Sequence, residues 1–342
     1  MNKLDIPPEF ISNIQNTFRE DGYAFLKALP DLIAEASARW GLTDVQPAPT
    51  LSYNFVAFAR RGEVISPHDT IIHQTNGQGD PAPTHNVVLK MGVPNREMKS
   101  EMAALKLFNG EGACRLLECD EERCWMLLER LNPGVMLSTL EDDEEATHIA
   151  AEVMKKIWRN MDSGSLLPNS QEQEISQKQA SGFQNFIRLS DWFDGLKQLR
   201  PMFNGGTGPF NEKLVERAES SVKDFFVENH MPVLMHGDFH HFNILSSERG
   251  WLVIDPKGVI GPAGYEVGPL MINPWSDFSD GNKIRLSVKR RIDILHEHLG
   301  FERERILEWS LAHAVLSAWW GIEDNTGWES ALQFAELLAD FK

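Results

Sequence analysis

The chain holds 342 residues, 42% of them hydrophobic and 24% charged, enough to bury a substantial core, and its length favours two lobes over one. A formal charge of −17 argues against nucleic acid as a partner, because such binders gather basic residues to displace counterions; an acidic field instead suits Mg²⁺ and amine-bearing small molecules. No apolar run of about 18 residues could span a bilayer, and MNKLDIPPEF lacks the basic start and apolar stretch of a leader, so no membrane role and a cytoplasmic location are expected.

In chain order, Pro8 to about Trp40 reads as two helices, with Phe10, Ile11, Ile14 and Phe18, then Phe25, Leu26, Leu29 and Ile33, at helical intervals. Leu51–Ala59 and His85–Met91 read as strands, separated by a turn-rich segment containing Gly77, Gly79, Pro81 and Pro83. Helical spacing returns between Arg96 and Phe108 and stops at Gly110 and Gly112. Two strand candidates follow, ACRLLEC (113–119) and CWMLLERL (124–131). Cys114, Cys119 and Cys124 recur every five residues with no histidine among them, which fits reduced packing residues better than zinc ligands or a disulfide set. A lobe boundary is expected near Pro133, beyond which long helices begin near Thr139 and run through Trp158. Short apolar runs interrupt them at Pro232–Met235 and Trp251–Ile254, Gly205–Pro209 reads as a loop, and Arg303–Phe341 is helical again.

The chemistry gathers behind those two runs. In Val233–Leu245 (VLMHGDFHHFNIL), Asp238 stands five residues before Asn243. The same separation joins the proton-accepting aspartate and the metal-binding asparagine of the protein kinase catalytic loop. One loop can then turn a carboxylate toward an attacking hydroxyl while a neutral oxygen ligand turns back to a metal beside the same phosphate. Twelve residues after Asn243, the run Trp251–Ile254 ends in Asp255, a carboxylate at a strand end where kinases place a hard oxygen ligand for Mg²⁺. Either half alone is an ordinary turn; the pair in this order is specific.

The sequence resembles the aminoglycoside phosphotransferases, and within them the branch of streptomycin 6-kinases and hydroxyurea-resistance kinases. The matching stretches are SYNFVA (52–57), VVLKMG (87–92), EMAALKLFNGEGACRLLECD (101–120), LLERLNPG (127–134), HGDFHHFNIL (236–245), IDPKGVIGPAGYEVGPLMINP (254–274) and AHAVLSAWWGIED (312–324). The resemblance implies an α+β, protein-kinase-like bilobal fold. Residues 1–131 would form a nucleotide-binding lobe, a small β-sheet with two leading helices, and residues 132–342 a larger, mainly helical catalytic and substrate-binding lobe. It also implies ATP and Mg²⁺ as cofactors and a small, cationic hydroxyl compound such as streptomycin as acceptor.

Carried over by position, the resemblance makes Asp238 the catalytic base and Asn243 with Asp255 the metal ligands. Lys90 becomes the strand lysine on the α- and β-phosphates and Glu101 its ion-pair partner, although Glu97 lies one helical turn earlier on nearly the same face. No glycine-rich phosphate loop is present, so Ser52 and Asn54 are the candidates for phosphate contacts, and backbone groups from Glu129 to Leu131 for the adenine edge. His236 would pin the catalytic loop. His240 and His241 read as loop packing or a proton shuttle, and Lys257 as solvent-facing or a neutraliser of transferred phosphate. Glu266, Glu323 and Asp324 are candidates for a cationic acceptor; Glu266 could instead brace the loop after Asp255, and Glu323 and Asp324 could cap a helix. Trp319 and Trp320 could line the same place, with at least one of them in the core. Three rival readings remain at this point. One is a kinase of another small alcohol, and another is a nucleotide-binding module without chemistry. The third, a protein kinase, is weakened by HGD in place of HRD, IDP in place of DFG and the lack of an APE segment.

Overall fold

The opening helical stretch, Pro8–Trp40, breaks at Arg19, whose backbone (φ 52, ψ −123) is not helical, so the stretch is two helices. A Cβ on Gly22 would lie 2.4 Å from the Ile14 carbonyl oxygen, so only glycine allows the second helix to fold this tightly onto the first. Gly41, left-handed at φ 64, ends it by donating its N–H to the Ser37 carbonyl. These coordinates are a computed structural model and describe residues 6–62, 84–161, 185–227, 231–274 and 280–341. The turn-rich segment expected around Gly77–Pro83 lies outside the described residues.

The helices cover an antiparallel five-stranded sheet of order β1-β2-β3-β5-β4, built from Leu42–Pro47 (β1), Phe55–Gly62 (β2), Thr84–Met91 (β3), Leu116–Asp120 (β4) and Trp125–Glu129 (β5). Alternation in β2 turns Phe55, Ala57 and Ala59 inward, where they meet Phe10, Ile14, Leu29, Trp40, Leu89 and Trp125. The strand expected at Leu51–Ala59 starts only at Phe55. Residues 51–54 bend instead, and the Asn54 side chain fills the space a Cβ on Gly92 would need, 2.3 Å from its Oδ1. After β3, the Asn95 side chain accepts from the Met98 N–H at 2.9 Å and starts the helix Arg96–Phe108.

The chain divides into two compact units that do not follow a single cut. One takes residues up to Met102 together with Arg115–Arg130; the other takes Ala103–Cys114 together with Leu131–Lys342.

Within the second unit, Pro133–Met136 (β6), Ile244–Ser247 (β10) and Gly250–Val253 (β11) form a sheet of order β11-β10-β6. A second small sheet, of order β7-β9-β12-β8, joins Arg159–Asn160 (β7), Ile187–Arg188 (β8), Val233–Met235 (β9) and Val259–Gly261 (β12). The expected long helices appear as Asp143–Ile157, Glu212–Val227, Gly281–Leu299, Arg303–Glu323 and Glu329–Ala339. Arg303–Glu323 is the central one: Leu307, Leu311, Val315 and Trp319 are all buried, as their spacing predicts, and Trp309 stacks on Phe225 at 3.6 Å. Arg291, 1% exposed, pairs with Asp143 (Nε to Oδ1 2.9 Å) and donates to the Leu270 and Asn273 carbonyls, anchoring its helix to the start of Asp143–Ile157.

Candidate active site

In the first unit, register puts Lys90 of β3 between Val56 and Met126, in the middle of the sheet. Its ammonium lies 2.7 Å from each carboxylate oxygen of Glu101, with the two residues only 5% and 4% exposed. Glu97 is exposed, so packing selects Glu101 as the partner. A buried pair of this kind holds a cation in one place, since removing either partner strands a charge in the protein. Ser52 is exposed, and its carbonyl accepts from Asn13. The Glu129 N–H donates to the Arg115 carbonyl (2.9 Å), so contacts to an adenine edge cannot use it, and the Glu129 carboxylate in turn accepts from the Arg115 N–H (3.0 Å).

The second unit holds the Asp238 loop, fixed from behind by three side chains. His236, fully buried, has its Nε2 2.8 Å from the Ile254 carbonyl, while its Nδ1 accepts the Asp238 N–H at 3.1 Å. This pattern puts the proton on Nε2. Burial, only partly opposed by the charge of Asp238, pushes the imidazole down to about 4, so the ring pins the loop as a neutral group. The Asn243 amide donates to the Asp238 carbonyl oxygen at 3.0 Å, closing the loop on itself.

The third brace is Glu266. Its two carboxyl oxygens accept the His236 N–H (3.0 Å) and the Gly237 N–H (2.8 Å), and none of the residue is exposed. That corrects the expectation of Glu266 as an acceptor-binding carboxylate, because its oxygens are spent on the backbone and it has no surface to offer. Burial pushes its carboxyl up to about 8, against the two N–H donors and with the charge of Asp238.

Asp238 itself keeps 40% of its side chain open, and its Oδ1 lies 3.4 Å from His240 Nε2. Burial pushes its carboxyl up, but the His240 imidazole, then Lys257 and His236, outweigh this and hold it well below the usual carboxylate range. His240 also stands 3.4 Å from the Asn243 amide nitrogen, so it sits between the two functional side chains, whereas His241, 2% exposed, is buried as a packing residue would be.

Strand pairing brings the two metal candidates together. Ile244 pairs with Val253 across the β10–β11 hairpin, and the Ile254 N–H donates to the Asn243 carbonyl at 2.9 Å. Asn243 and Asp255 thus leave the same end of one hairpin. Asp255 takes the left-handed conformation (φ 57), a costly backbone state for a residue with a side chain and one that recurs where function requires it. With the Asn243 NH₂ turned to the Asp238 carbonyl, its amide oxygen is the end left for a cation. One amide and one carboxylate oxygen fit Mg²⁺, which keeps water and phosphate oxygens in its remaining positions. Among the described residues, no group of three or more His, Cys, Asp or Glu forms a metal site complete in itself.

Glu323 and Asp324, the last helical residue and the C-cap of Arg303–Glu323, are both exposed. Burial, then the charge of Asp324, pushes the Glu323 carboxyl up; the Trp319 indole N–H faces it and tempers this without closing a hydrogen bond of normal geometry. Trp319 is fully buried and belongs to the core, while Trp320 keeps open surface. Sequence reading missed Trp192, Tyr265 and His313. Trp192 packs against Gly237, and Tyr265 donates to or accepts from His313 Nδ1 at 3.0 Å.

The profile of the aminoglycoside/hydroxyurea antibiotic resistance kinases matches residues 57–325. The chain belongs to that family. The kinase is 26% identical over 324 residues to streptomycin 6-kinase of Streptomyces glaucescens, covering 94% of this chain and 92% of the relative. It is 28% identical over 325 residues to hydroxyurea phosphotransferase of Kitasatospora aureofaciens, covering 94% and 82%. Among solved structures it is similar to a choline/ethanolamine kinase family protein from Mesorhizobium loti (TM-score 0.57, 14% identity, 90% and 95% covered). It is also similar to a thermostable mutant of aminoglycoside phosphotransferase APH(4)-Ia (TM-score 0.55, 14% identity, 89% and 96% covered). These likenesses confirm the kinase-like fold expected of the chain, and family membership makes it a phosphotransferase acting on hydroxyl groups. No described helix is long and apolar enough to cross a membrane.

Proposed function

We propose that this kinase transfers the γ-phosphoryl group of ATP to a hydroxyl of a cationic aminoglycoside such as streptomycin, the compound named in its relatives. The observation that carries the reading is the Asp238–Asn243 loop, closed by its own amide, braced by Glu266 and His236, and tied through Ile254 to Asp255. Asp238 orients the acceptor hydroxyl and takes its proton as the new O–P bond forms and the bond from γ-phosphorus to the bridging oxygen breaks. Its depressed carboxyl keeps it ready as an anion at neutral pH.

Asn243 and Asp255 would hold Mg²⁺, which supplies charge neutralisation on the terminal phosphates. Lys90, fixed by Glu101, would hold the α- and β-phosphates. Ser52 and Asn54 add phosphate contacts, and the Glu129 carbonyl with the Leu131 backbone meets the adenine. Glu323 and Asp324 offer charge to the acceptor. Positioning and electrostatics do most of the work in such a transfer.

The test is ATP consumption with Mg²⁺ against streptomycin, other aminoglycosides, hydroxyurea and neutral polyols, with the phosphorylated oxygen located by NMR. Asp238→Ala and Asp255→Ala should each lower turnover by about a hundredfold or more while the fold persists. Near-normal turnover in either variant would overturn the assigned roles. Phosphate appearing only on neutral polyols would replace the acceptor by another small alcohol, and nucleotide binding without any transfer would leave a module lacking chemistry.

A further inference from the structure

Two tryptophans with open surface stand beside the reactive loop, and the roles above leave both unused. Trp192 lies in the short helix Leu189–Phe193 and Trp320 near the end of Arg303–Glu323. Their ring centroids are 5.4 Å apart at an interplanar angle of 84°. Trp192 meets Tyr265 edge-on at 6.0 Å, and Trp320 meets His313 at 6.3 Å. Tyr265 and His313, both buried and hydrogen-bonded to each other at 3.0 Å, form the floor of this aromatic bank. The bank reaches the loop at Gly237, where a Cβ would stand 3.1 Å from Trp192 Cη2. Glycine, itself at φ 88, lets the indole approach the residue that adjoins Asp238.

Trp319 and Trp309, by contrast, are closed in the core at 0% and 2% exposed. Trp192 and Trp320 each keep part of their surface open. Two carboxylates also close the helix that carries Trp320. Glu323 lies three residues beyond Trp320, on the same helical side, and Asp324 follows it. The charge of Asp238 is felt at both Tyr265 and His313. An aromatic face beside carboxylates attracts cations through the ring quadrupole, and most strongly flat, weakly hydrated ones such as guanidinium. A neutral polyol gains little from the same surface.

We infer that Trp192 and Trp320 form the platform for a guanidinium- or ammonium-bearing ring of the acceptor, with Glu323 at its rim. The inference rests on the phosphotransfer reading only for the direction of the hydroxyl, toward Asp238. The platform makes cation recognition a property of two helices far apart in sequence, joined by the glycine of the HGD motif.

The experiment compares wild type with Trp192→Leu, Trp320→Leu and the corresponding Phe variants, using streptomycin as the guanidinium probe and myo-inositol as the neutral one. Binding is read without nucleotide by equilibrium dialysis, and kinetics with ATP and Mg²⁺. Each Leu variant should weaken streptomycin binding and raise its KM by about tenfold, the scale of one partly desolvated cation–π contact. Turnover number should stay within about twofold, Phe should recover most of the loss, and myo-inositol affinity should not move. Unchanged streptomycin binding in both Leu variants overturns the platform, as does an equal loss for the two probes. Wild-type protein that binds streptomycin through these rings without phosphorylating it overturns the proposed reaction and supports the platform. Phosphorylation untouched by the Leu changes does the reverse, and absence of streptomycin binding to wild type overturns both.

Discussion

Glu266 gives a test in which protonation and geometry separate. Its carboxyl is fully buried and pushed up to about 8, so at neutral pH it is held as the acid while bridging the His236 and Gly237 amides. A glutamine has the charge of that acid, but its NH₂ sets a donor against one of the two backbone N–H groups. Glu266→Gln should therefore cost roughly 1–3 kcal/mol at pH 6.5 for the one N–H left without an acceptor, whereas Glu266→Ala strands both buried N–H donors and should cost roughly 2–5 kcal/mol. The sign with pH follows from the raised value. The folded state keeps a proton that the unfolded chain loses near 4.5, so the contribution is fully present below 4.5 and is lost as pH rises toward about 8. The slope is on the order of 1.4 kcal/mol per pH unit across that window. Urea unfolding followed by tryptophan fluorescence from pH 6.5 to 8.5, above the range in which the buried histidines change stability, measures it. The glutamine variant should lack the decline that wild type shows. A decline that persists in Glu266→Gln, or an alanine variant as stable as wild type, would refute the account of Glu266 as a neutral brace.

Two further expectations concern buried charge. Lys90→Met should destabilise by about 3–5 kcal/mol because it removes the cation paired with the buried Glu101 carboxylate, and Lys90→Met with Glu101→Met should regain most of that stability without regaining turnover, as read by urea unfolding beside an ATP-consumption assay. His236 and His313, both pushed down to about 4 by burial, contribute stability that is present above 6.5 and lost as pH falls toward 4. In a Glu266→Gln background, which removes the opposing carboxyl, His313→Gln should lower the acid-side slope of unfolding free energy by about a third, because His241 is pushed down by burial as well.

What could be read from the sequence followed the strength of the local rule. The helix Arg96–Phe108 and strand β3 were legible because their apolar periods are regular and their ends carry turn residues. Asp238, Asn243 and Asp255 were legible because the chemistry demands fixed spacing on one hairpin. Strand β1 was not, since only Leu42 of Leu42–Pro47 is buried, Asp44 sits at φ 52, and the register slips between Thr43 and Gln46. Trp192 lies in a helix of five residues, too short for any period to show. Arg291 reads as one more cation on a charged helix, and only tertiary packing turns it inward onto Asp143.

Glu266 shows the deeper limit. Asp238 and Glu266 serve the same loop, and in sequence both are carboxyls in motifs shared with the family. Surroundings alone divide them: Asp238 is open to solvent on one side and beside His240 and Lys257, which holds it ionised, while Glu266 is sealed among backbone donors and pushed toward the neutral acid. A base must be charged before it accepts a proton, and a second anion behind it would raise its affinity for that proton before the hydroxyl arrives. Neutralising the brace thus leaves Asp238 as the loop's acceptor, and the division of labour is written in burial, which no motif records.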